Sequence, residues 1–357
     1  MVQRRVSRAI SIAGLRIGGQ EPIVIQSMTN TDTRDCAGTL AQIRALADAG
    51  CELVRVAVPN HEGTEALKHI CSQSPLPVVA DIHFDYRLAL ASIGNGVHAL
   101  RLNPGNIGAR WKIQEVVRAA KEKGIPIRVG VNAGSLEKDI LEKKGPKPEA
   151  LVESALRHVR MLEEEDFREI KISLKSSHVP TMLEAYRQMA QVVDYPLHLG
   201  VTEAGTLRSC MVKSSIGIGS LLAEGIGDTI RVSLTGDPVK EIPIARSILQ
   251  VLGLGGYGAE LVACPTCGRT GFPLIELAER VETYLLALPP LKRKLTVAVM
   301  GCVVNGPGEA READLGVAGS GNVGILFKKG QVVEKVPVEL LYDVLVKGIG
   351  EFVEDAF

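Results

Sequence analysis

The stretch HALRLNPGNIGARWKIQEVVRAAKEKGIPIRVGVN, residues 98–132, decides the fold. Its first run, HALRLN (98–103), and its last, PIRVGVN (126–132), are short, apolar and rich in branched side chains, as strands are. Between them WKIQEVVRAAKEKG (111–124) is amphipathic and closes on Gly124, a residue free to adopt the left-handed cap of a helix. Strand, helix and strand in so short a span form one βαβ unit.

The same rhythm extends in both directions, from residue 22 to about 250. Further strand stretches are PIVIQSM (22–28), ELVRVAV (52–58), PVVADIH (77–83), EIKISL (169–174), PLHLGVT (196–202) and TIRVSL (229–234), with helical patterns such as TLAQIRALADAG (39–50) between them. Eight such units predict a closed (β/α)8 TIM-type barrel. An open doubly wound sheet would carry fewer units and a glycine fingerprint after its first strand, and none follows IVIQSM.

After VLGLGGYG (251–258) the pattern changes. A strand (ELVAC), a helix (PLIELAERVETYLLAL) and a strand (LTVAVMGC) precede a hairpin, GNVGILFKKG with QVVEKVPV, and a last helix over about 338–354. The expected organisation is an α/β chain: a barrel over 1–255 and a small α+β domain over 256–357.

Composition limits the partners. The chain has 357 residues, 46% hydrophobic and 23% charged, with a formal net charge of zero, which argues against broad binding to nucleic acid or an anionic membrane. The basic start, MVQRRVSRAISIAGLRIGG, never develops the apolar run of a signal peptide. The longest apolar stretch, LTVAVMGCVV (295–304), is about half a membrane span. A cytoplasmic protein is expected. Seven cysteines in a chain of this length suit ligand or thiol roles better than a disulfide framework.

Active sites of such barrels lie at the C-terminal ends of the strands. Those ends carry Arg55, Asp81, His83, Arg101, Asn103, Arg128, Asn132, Lys175, Thr202, Glu203, Arg231 and Ser233. Five cations at one rim suit the oxygens of a polyanion, most simply a diphosphate. The competing reading pairs each arginine with a carboxylate at the strand mouth. Asp81 and Glu203 are the two acids there, each a candidate for proton transfer or for orienting an arginine.

The tail carries the second constellation. CPTCGRT places Cys264 and Cys267 in a C-x-x-C, and GCVVNGPGEAREADLG adds Cys302. No histidine follows His198, so a closed four-ligand zinc site would need a distant donor. Three thiolates without a fourth soft donor nearby fit a [4Fe–4S] cluster with one distinctive iron. Glu309 is the local candidate for that iron, and Asn305 a candidate hydrogen-bond donor to the cluster or substrate. Cys36, Cys51, Cys71 and Cys210 read as small core residues.

Together with the two tail motifs, the barrel stretches QSMTNTDT, VRVAVP, ADIHFDYRLAL, LRLNPGNIG and LGVTEAG resemble the 4-hydroxy-3-methylbut-2-enyl diphosphate synthases, iron–sulfur enzymes of the methylerythritol phosphate route to isoprenoids. The resemblance spans nearly the whole chain and follows the shorter bacterial form. It implies reductive ring opening and dehydration of 2-C-methyl-D-erythritol 2,4-cyclodiphosphate, with electrons from a flavodoxin or ferredoxin, in a homodimer. By motif match it implies Cys264, Cys267, Cys302 and Glu309 as cluster ligands and Glu203 as proton donor. Arg55, Arg101, Arg128, Asn132, Lys175, Thr202, Arg231 and Ser233 are implied as diphosphate contacts. The alternative is a barrel of the dihydropteroate synthase type with a structural metal-binding tail, which would leave the cysteine spacing unexplained.

Overall fold

The computed structural model describes residues 2–255, 258–268, 270–288, 291, 293–302, 308 and 310–354. Asn305 and Glu309 lie outside the described residues. The chain divides into two compact units, Met1–Leu254 and Gly255–Phe357.

The first unit begins with an element the sequence reading did not anticipate. Strands β1 (Ile10–Ile12) and β2 (Leu15–Ile17) form a hairpin whose two-residue turn has Ala13 and Gly14 at positive φ. Ile10, Ile12 and Ile17 pack on Val24, Leu53, Val79 and Ala99, which start barrel strands, so the hairpin plugs the N-terminal mouth. The apolar alternation was present, but the stretch is basic at its start and very short.

The barrel follows as β3 (Val24–Met28), α1 (Cys36–Asp48), β4 (Leu53–Ala57), α2 (His61–Gln73), β5 (Val78–Asp81), α3 (Tyr86–Gly94) and β6 (Ala99–Leu102). It continues through α4 (Pro104–Ile107), α5 (Arg110–Lys123), β7 (Ile127–Asn132), α6 (Lys138–Lys144), α7 (Pro148–Glu163), β8 (Ile170–Lys175) and α8 (Val179–Val192). The last units are β9 (His198–Leu199), α9 (Leu207–Ala223), β10 (Thr229–Ile230) and α10 (Glu241–Val251). The parallel strands run in the order β8-β7-β6-β5-β4-β3-β10-β9, and a bridge from Ile172 to Leu197 joins the two ends. All eight anticipated strands are present, although β9 and β10 shrink to two residues each.

Local chemistry sets the ends of these elements. Asp35 and Asn60 accept from the third backbone N–H of α1 and α2, and Gly124 ends α5 at φ 63°. Outward-facing strand residues such as Val54, Val56, Leu100 and Ile127 pack under the helices, while the alternate residues face the barrel axis. That alternation aims the polar residues of the strands at a single central space.

The second unit is a five-stranded sheet, β11 (Ala259–Ala263), β12 (Leu295–Met300), β13 (Leu315–Ser320), β14 (Val323–Lys328) and β15 (Gln331–Pro337), in that order. The first three strands are parallel and the last two antiparallel. Helices α11 (Leu274–Leu286) and α12 (Leu341–Glu354) cover one face through Leu277, Val281, Leu341 and Leu345. The β14–β15 turn at Lys329 and Gly330 is the anticipated hairpin, with both residues at positive φ.

Strand β13, the centre of this sheet, was not anticipated. Its sequence LGVAGS lacks the bulky alternation of a strand because its neighbours leave no room. A Cβ at Gly316 would lie 2.6 Å from Phe327 Cζ and 2.7 Å from Ala298 Cβ. Small residues are the packing solution there, and they erase the usual signal.

Candidate functional site

At the C-terminal end of the barrel a cavity of about 240 Å³ is lined by Arg55, Asp81, His83, Arg101, Arg128, Asn132, Ser173, Lys175, Thr202, Arg231 and Ser233. Every rim residue anticipated from strand ends lines it except Asn103 and Glu203. Asn103 is buried and accepts from the Gly130 backbone N–H at 2.9 Å, so it supports the wall. Glu203 is exposed at φ 52° in the turn after β9 and is not part of the cavity lining. Ser173 was missed. Its place between Lys171 and Lys175 on β8 was the available signal, since alternate residues share a face.

Register explains the convergence. Asp81 stands opposite Arg101, Arg101 opposite Arg128, and Arg128 opposite Lys171 on four successive strands. Neighbouring strands are about 4.8 Å apart, so these side chains crowd the barrel interior, the first three at the rim and Lys171 below it. Their electrostatics divide them into two groups.

Arg55 and Arg101 have a counterion. Asp81 Oδ2 lies 3.6 Å from Arg55 Nε, and Asp81 Oδ1 lies 3.2 Å from Arg101 Nη1. Burial works against the charged form of Asp81, but Arg55, the His83 ring 3.7 Å away, Arg101 and Arg128 hold its carboxyl far below the usual carboxylate range. It is an ion-pair anchor rather than a proton donor at neutral pH. Arg231 is paired with Glu241 at 3.2 Å. That acid, which opens α10, was not anticipated; it also accepts from Ser27 Oγ at 2.8 Å and from the Leu234 N–H at 3.1 Å.

Arg128 and Lys175 have no carboxylate within ion-pair distance among the described residues. Arg128 is 3% exposed, and its Nε and Nη1 are buried without a hydrogen-bond partner among those residues. Burial, reinforced by Arg128, Arg231 and Arg55, pushes the Lys175 ammonium pKa well below its ordinary value. A guanidinium and an amine of weakened basicity thus stand in a space where no carboxylate among the described residues pairs with them. An anion there would favour the charged form of Lys175. The competing reading, in which each arginine pairs with a carboxylate, holds for Arg55, Arg101 and Arg231 and not for Arg128 among the described residues.

In the second unit Cys264 directly follows β11 and Cys302 lies two residues beyond β12. These strands are parallel with Ala263 opposite Val299, and the Cys264 N–H donates to the Val299 carbonyl at 3.0 Å. Both cysteines therefore leave the sheet at the same edge. Between Cys264 and Cys267, Thr266 takes φ 60°. The turn is completed by Thr270, whose Oγ1 accepts from the Cys267 N–H at 3.2 Å and whose N–H donates to the Cys267 carbonyl at 2.9 Å. A Cβ on Gly301 would meet Thr270 Oγ1 at 2.9 Å and Cys264 Sγ at 3.5 Å, so a small residue preserves space beside the first thiol.

Cys264 and Cys302 are half-buried and Cys267 is exposed. Among the described residues no three His, Cys, Asp or Glu side chains form a closed metal-binding group. The donor set is thiol-rich and suits a soft, thiolate-bound metal such as iron or zinc. The remaining cysteines are packed in the barrel. Burial pushes the Cys51 thiol up to about 11 and the Cys71 thiol to about 12, which keeps both protonated. No helix among the described residues is long and apolar enough to cross a membrane.

Comparison with known proteins extends this picture. Solved barrels that share the fold include a 7,8-dihydropteroate synthase from Vibrio fischeri, with a TM-score of 0.51 at 10% identity over 69% of this chain and 99% of that one. A 3-dehydroquinate dehydratase from Geobacillus kaustophilus gives 0.50 at 15% identity over 69% and 98%. These likenesses concern the fold alone. Much nearer relatives are named 4-hydroxy-3-methylbut-2-en-1-yl diphosphate synthase (flavodoxin). The protein of that name from Geobacter sulfurreducens is 58% identical over 95% of this chain and 96% of its own length. Those from Clostridium perfringens and Geobacillus thermodenitrificans are 56% and 51% identical, over 97% and 100% of this chain and 99% and 95% of theirs. Residues 7–246 match the GcpE TIM-barrel domain and residues 260–351 the GcpE protein C-terminal domain. With both of its units matched in order, the chain belongs to the GcpE family.

Proposed function

We propose that this chain is a 4-hydroxy-3-methylbut-2-enyl diphosphate synthase of the bacterial, flavodoxin- or ferredoxin-dependent type. It converts 2-C-methyl-D-erythritol 2,4-cyclodiphosphate to (E)-4-hydroxy-3-methylbut-2-enyl diphosphate. The cyclic diphosphate accepts two electrons and two protons and loses one oxygen as water, while the ring C–O bond to phosphate breaks. The observation that carries this reading is the pair of buried basic side chains, Arg128 and Lys175, without a carboxylate partner among the described residues, in a 240 Å³ cavity of a GcpE-family barrel.

In this reading Arg55, Arg101, Arg128, Lys175 and Arg231 hold the diphosphate, and Asn132, Ser173, Thr202 and Ser233 donate to its oxygens. Charge-assisted contacts of this kind are worth about 1.5–3 kcal/mol each. They also stabilise the negative charge that develops on the diphosphate as the C–O bond breaks. Ion pairs to Asp81 and Glu241 keep the paired arginines in place before the anion arrives. Glu203, exposed on the turn after β9, supplies a proton.

Cys264, Cys267 and Cys302 would hold a [4Fe–4S] cluster, with Glu309 as the fourth ligand and Asn305 as a hydrogen-bond donor to cluster or substrate, the last two being candidates from the sequence. The thiols that leave one sheet edge and the small Gly301 next to Cys264 fit that group. When bound, the cluster supplies one-electron transfer and a Lewis-acidic iron. The remaining parts of the proposal are a homodimer working in the cytoplasm.

The test is anaerobic purification of the full chain, analysis of iron and acid-labile sulfide, and turnover of the cyclic diphosphate with reduced flavodoxin. About four irons per chain and formation of the linear diphosphate are expected. A colourless protein with stoichiometric zinc, or an iron-loaded protein that leaves the cyclic diphosphate intact, would end this reading.

A further inference from the structure

Beneath the rim cavity the barrel contains a second polar tier. A void of about 10 Å³ is lined by Gln26, Arg128 and Lys171 together with apolar residues that include Ile10 and Ile12 of the plugging hairpin. Lys171 is 3% exposed and does not line the rim cavity. Arg128 lines both spaces and so forms the partition between them. Lys171 Nζ, Gln26 Oε1 and the Nε and Nη1 of Arg128 are all buried without a hydrogen-bond partner among the described residues.

The charges in this region do not balance. Arg55, Arg101, Arg128, Lys171, Lys175 and Arg231 stand against Asp81 and Glu241, which are engaged by Arg55, Arg101 and Arg231. The groups facing Lys171 come from several elements. Arg128 is its in-register neighbour on β7, Arg55 acts from β4, and Asp228 acts from the turn before β10. Asp228 is itself committed to Arg4 at 3.4 Å, Arg5 at 3.8 Å and Ser7 Oγ at 2.7 Å. His198 on β9 turns Nδ1 to Thr229 Oγ1 at 2.8 Å and leaves Nε2 without a partner among the described residues. Burial, then Arg128, keeps Lys171 far less basic than a free lysine, and burial with the same cations keeps His198 neutral.

An ammonium in such a place sheds its proton rather than remain charged and unpaired. A polyanion in the cavity above Arg128 reverses that balance, because its charge reaches Lys171 through a low-dielectric interior. We propose that Lys171 is a positioning residue of the barrel floor that couples occupation of the rim cavity by a diphosphate to uptake of one proton from solvent. The proton binds the free electron pair of Nζ, no covalent bond to the ligand forms, and the resulting ammonium adds positive charge beneath the anion, whose attraction offsets the repulsion from Arg128. The inference rests on the reading of the rim as a diphosphate site.

Calorimetric titration of the full chain with inorganic pyrophosphate at pH 8, in buffers of differing ionisation heat, counts the protons exchanged. Wild type should take up about one proton more per site than Lys171→Met, whose affinity for pyrophosphate falls roughly three- to tenfold. Lys171→Gln, which keeps a polar group in the floor, should show the same proton deficit and replaces Lys171→Met if that variant does not fold. Equal proton counts in wild type and either folded variant would overturn the coupling while leaving the anion site intact. Wild type that takes up no proton beyond the change in pyrophosphate's own protonation would overturn it without any variant. A wild type that does not bind pyrophosphate would overturn both the coupling and the diphosphate reading of the rim.

Discussion

The barrel rim and the cysteine edge of the second unit organise their reactive groups in opposite ways. In the rim, Arg55, Arg101, Arg128 and Lys175 stand on strands locked in parallel register, Arg55 half-buried and the other three buried in the wall. At the cysteine edge, Cys264, Cys267 and Cys302 stand beyond the strand ends, half-buried or exposed, without a closed metal-binding group among the described residues. The rim holds its charge in position before any ligand arrives, at the cost of repulsion. The cysteine edge leaves its closure to what it binds, because thiolate ligation supplies energy that the chain alone does not.

That contrast is sharpened most by Cys302→Ser. Loss of one thiolate should abolish turnover, by at least about a thousandfold, and strip the iron. Pyrophosphate binding to the barrel should be unchanged, and this is checked by calorimetry on the same preparation. A variant that loses both properties would break the comparison.

Asp81→Asn should have the next largest effect. Removing the shared carboxylate leaves Arg55 and Arg101 facing each other, and breaking a buried pair in this way costs about 3–5 kcal/mol. The pH dependence follows from the same ion pair. The carboxyl is held below its unfolded value of about 3.9, so its contribution is present in full above that value. It is lost as pH falls below about 4 toward the depressed folded pKa, with no change across neutrality. Denaturant unfolding at pH 7 and at pH 3 measures both effects; equal loss in the variant at the two pH values would contradict the pairing.

Arg128→Met should have the smallest effect on the fold and a clear one on function. Because Arg128 has no carboxylate partner among the described residues, its removal orphans no acid and relieves repulsion with Arg55 and Arg101. The KM for the cyclic diphosphate should rise ten- to a hundredfold, in keeping with about 1.5–3 kcal/mol for a charge-assisted contact. The melting temperature should hold or rise. A fall in melting temperature with an unaltered KM would make Arg128 a structural residue.

Much of this was legible in the chain because it follows short-range rules. The strand–helix rhythm, the glycine cap at Gly124 and the cations at strand ends are local patterns, and the barrel that they imply is the one observed. The cysteine spacing and tail motifs were equally local. The hairpin at 10–17 escaped because its signal is only a few residues long, and β13 because Phe327 and Ala298 require glycine where a strand would carry a bulky residue.

The linear order of residues was enough to determine the barrel, the small second unit, most of the polar residues that face one mouth and the spacing of the three tail cysteines. Which charges cancel was decided only in three dimensions. Asp81 serves two arginines, Glu241 arrives from a helix ten residues past Arg231, and Arg128 and Lys175 receive no carboxylate among the described residues. Lys171, four residues before the Lys175 that ends its strand at the mouth, lies under that mouth beside a hairpin from the start of the chain. Hydrophobic periodicity acts between near neighbours in sequence, whereas a charge in a low-dielectric interior responds to every group that closure brings within reach.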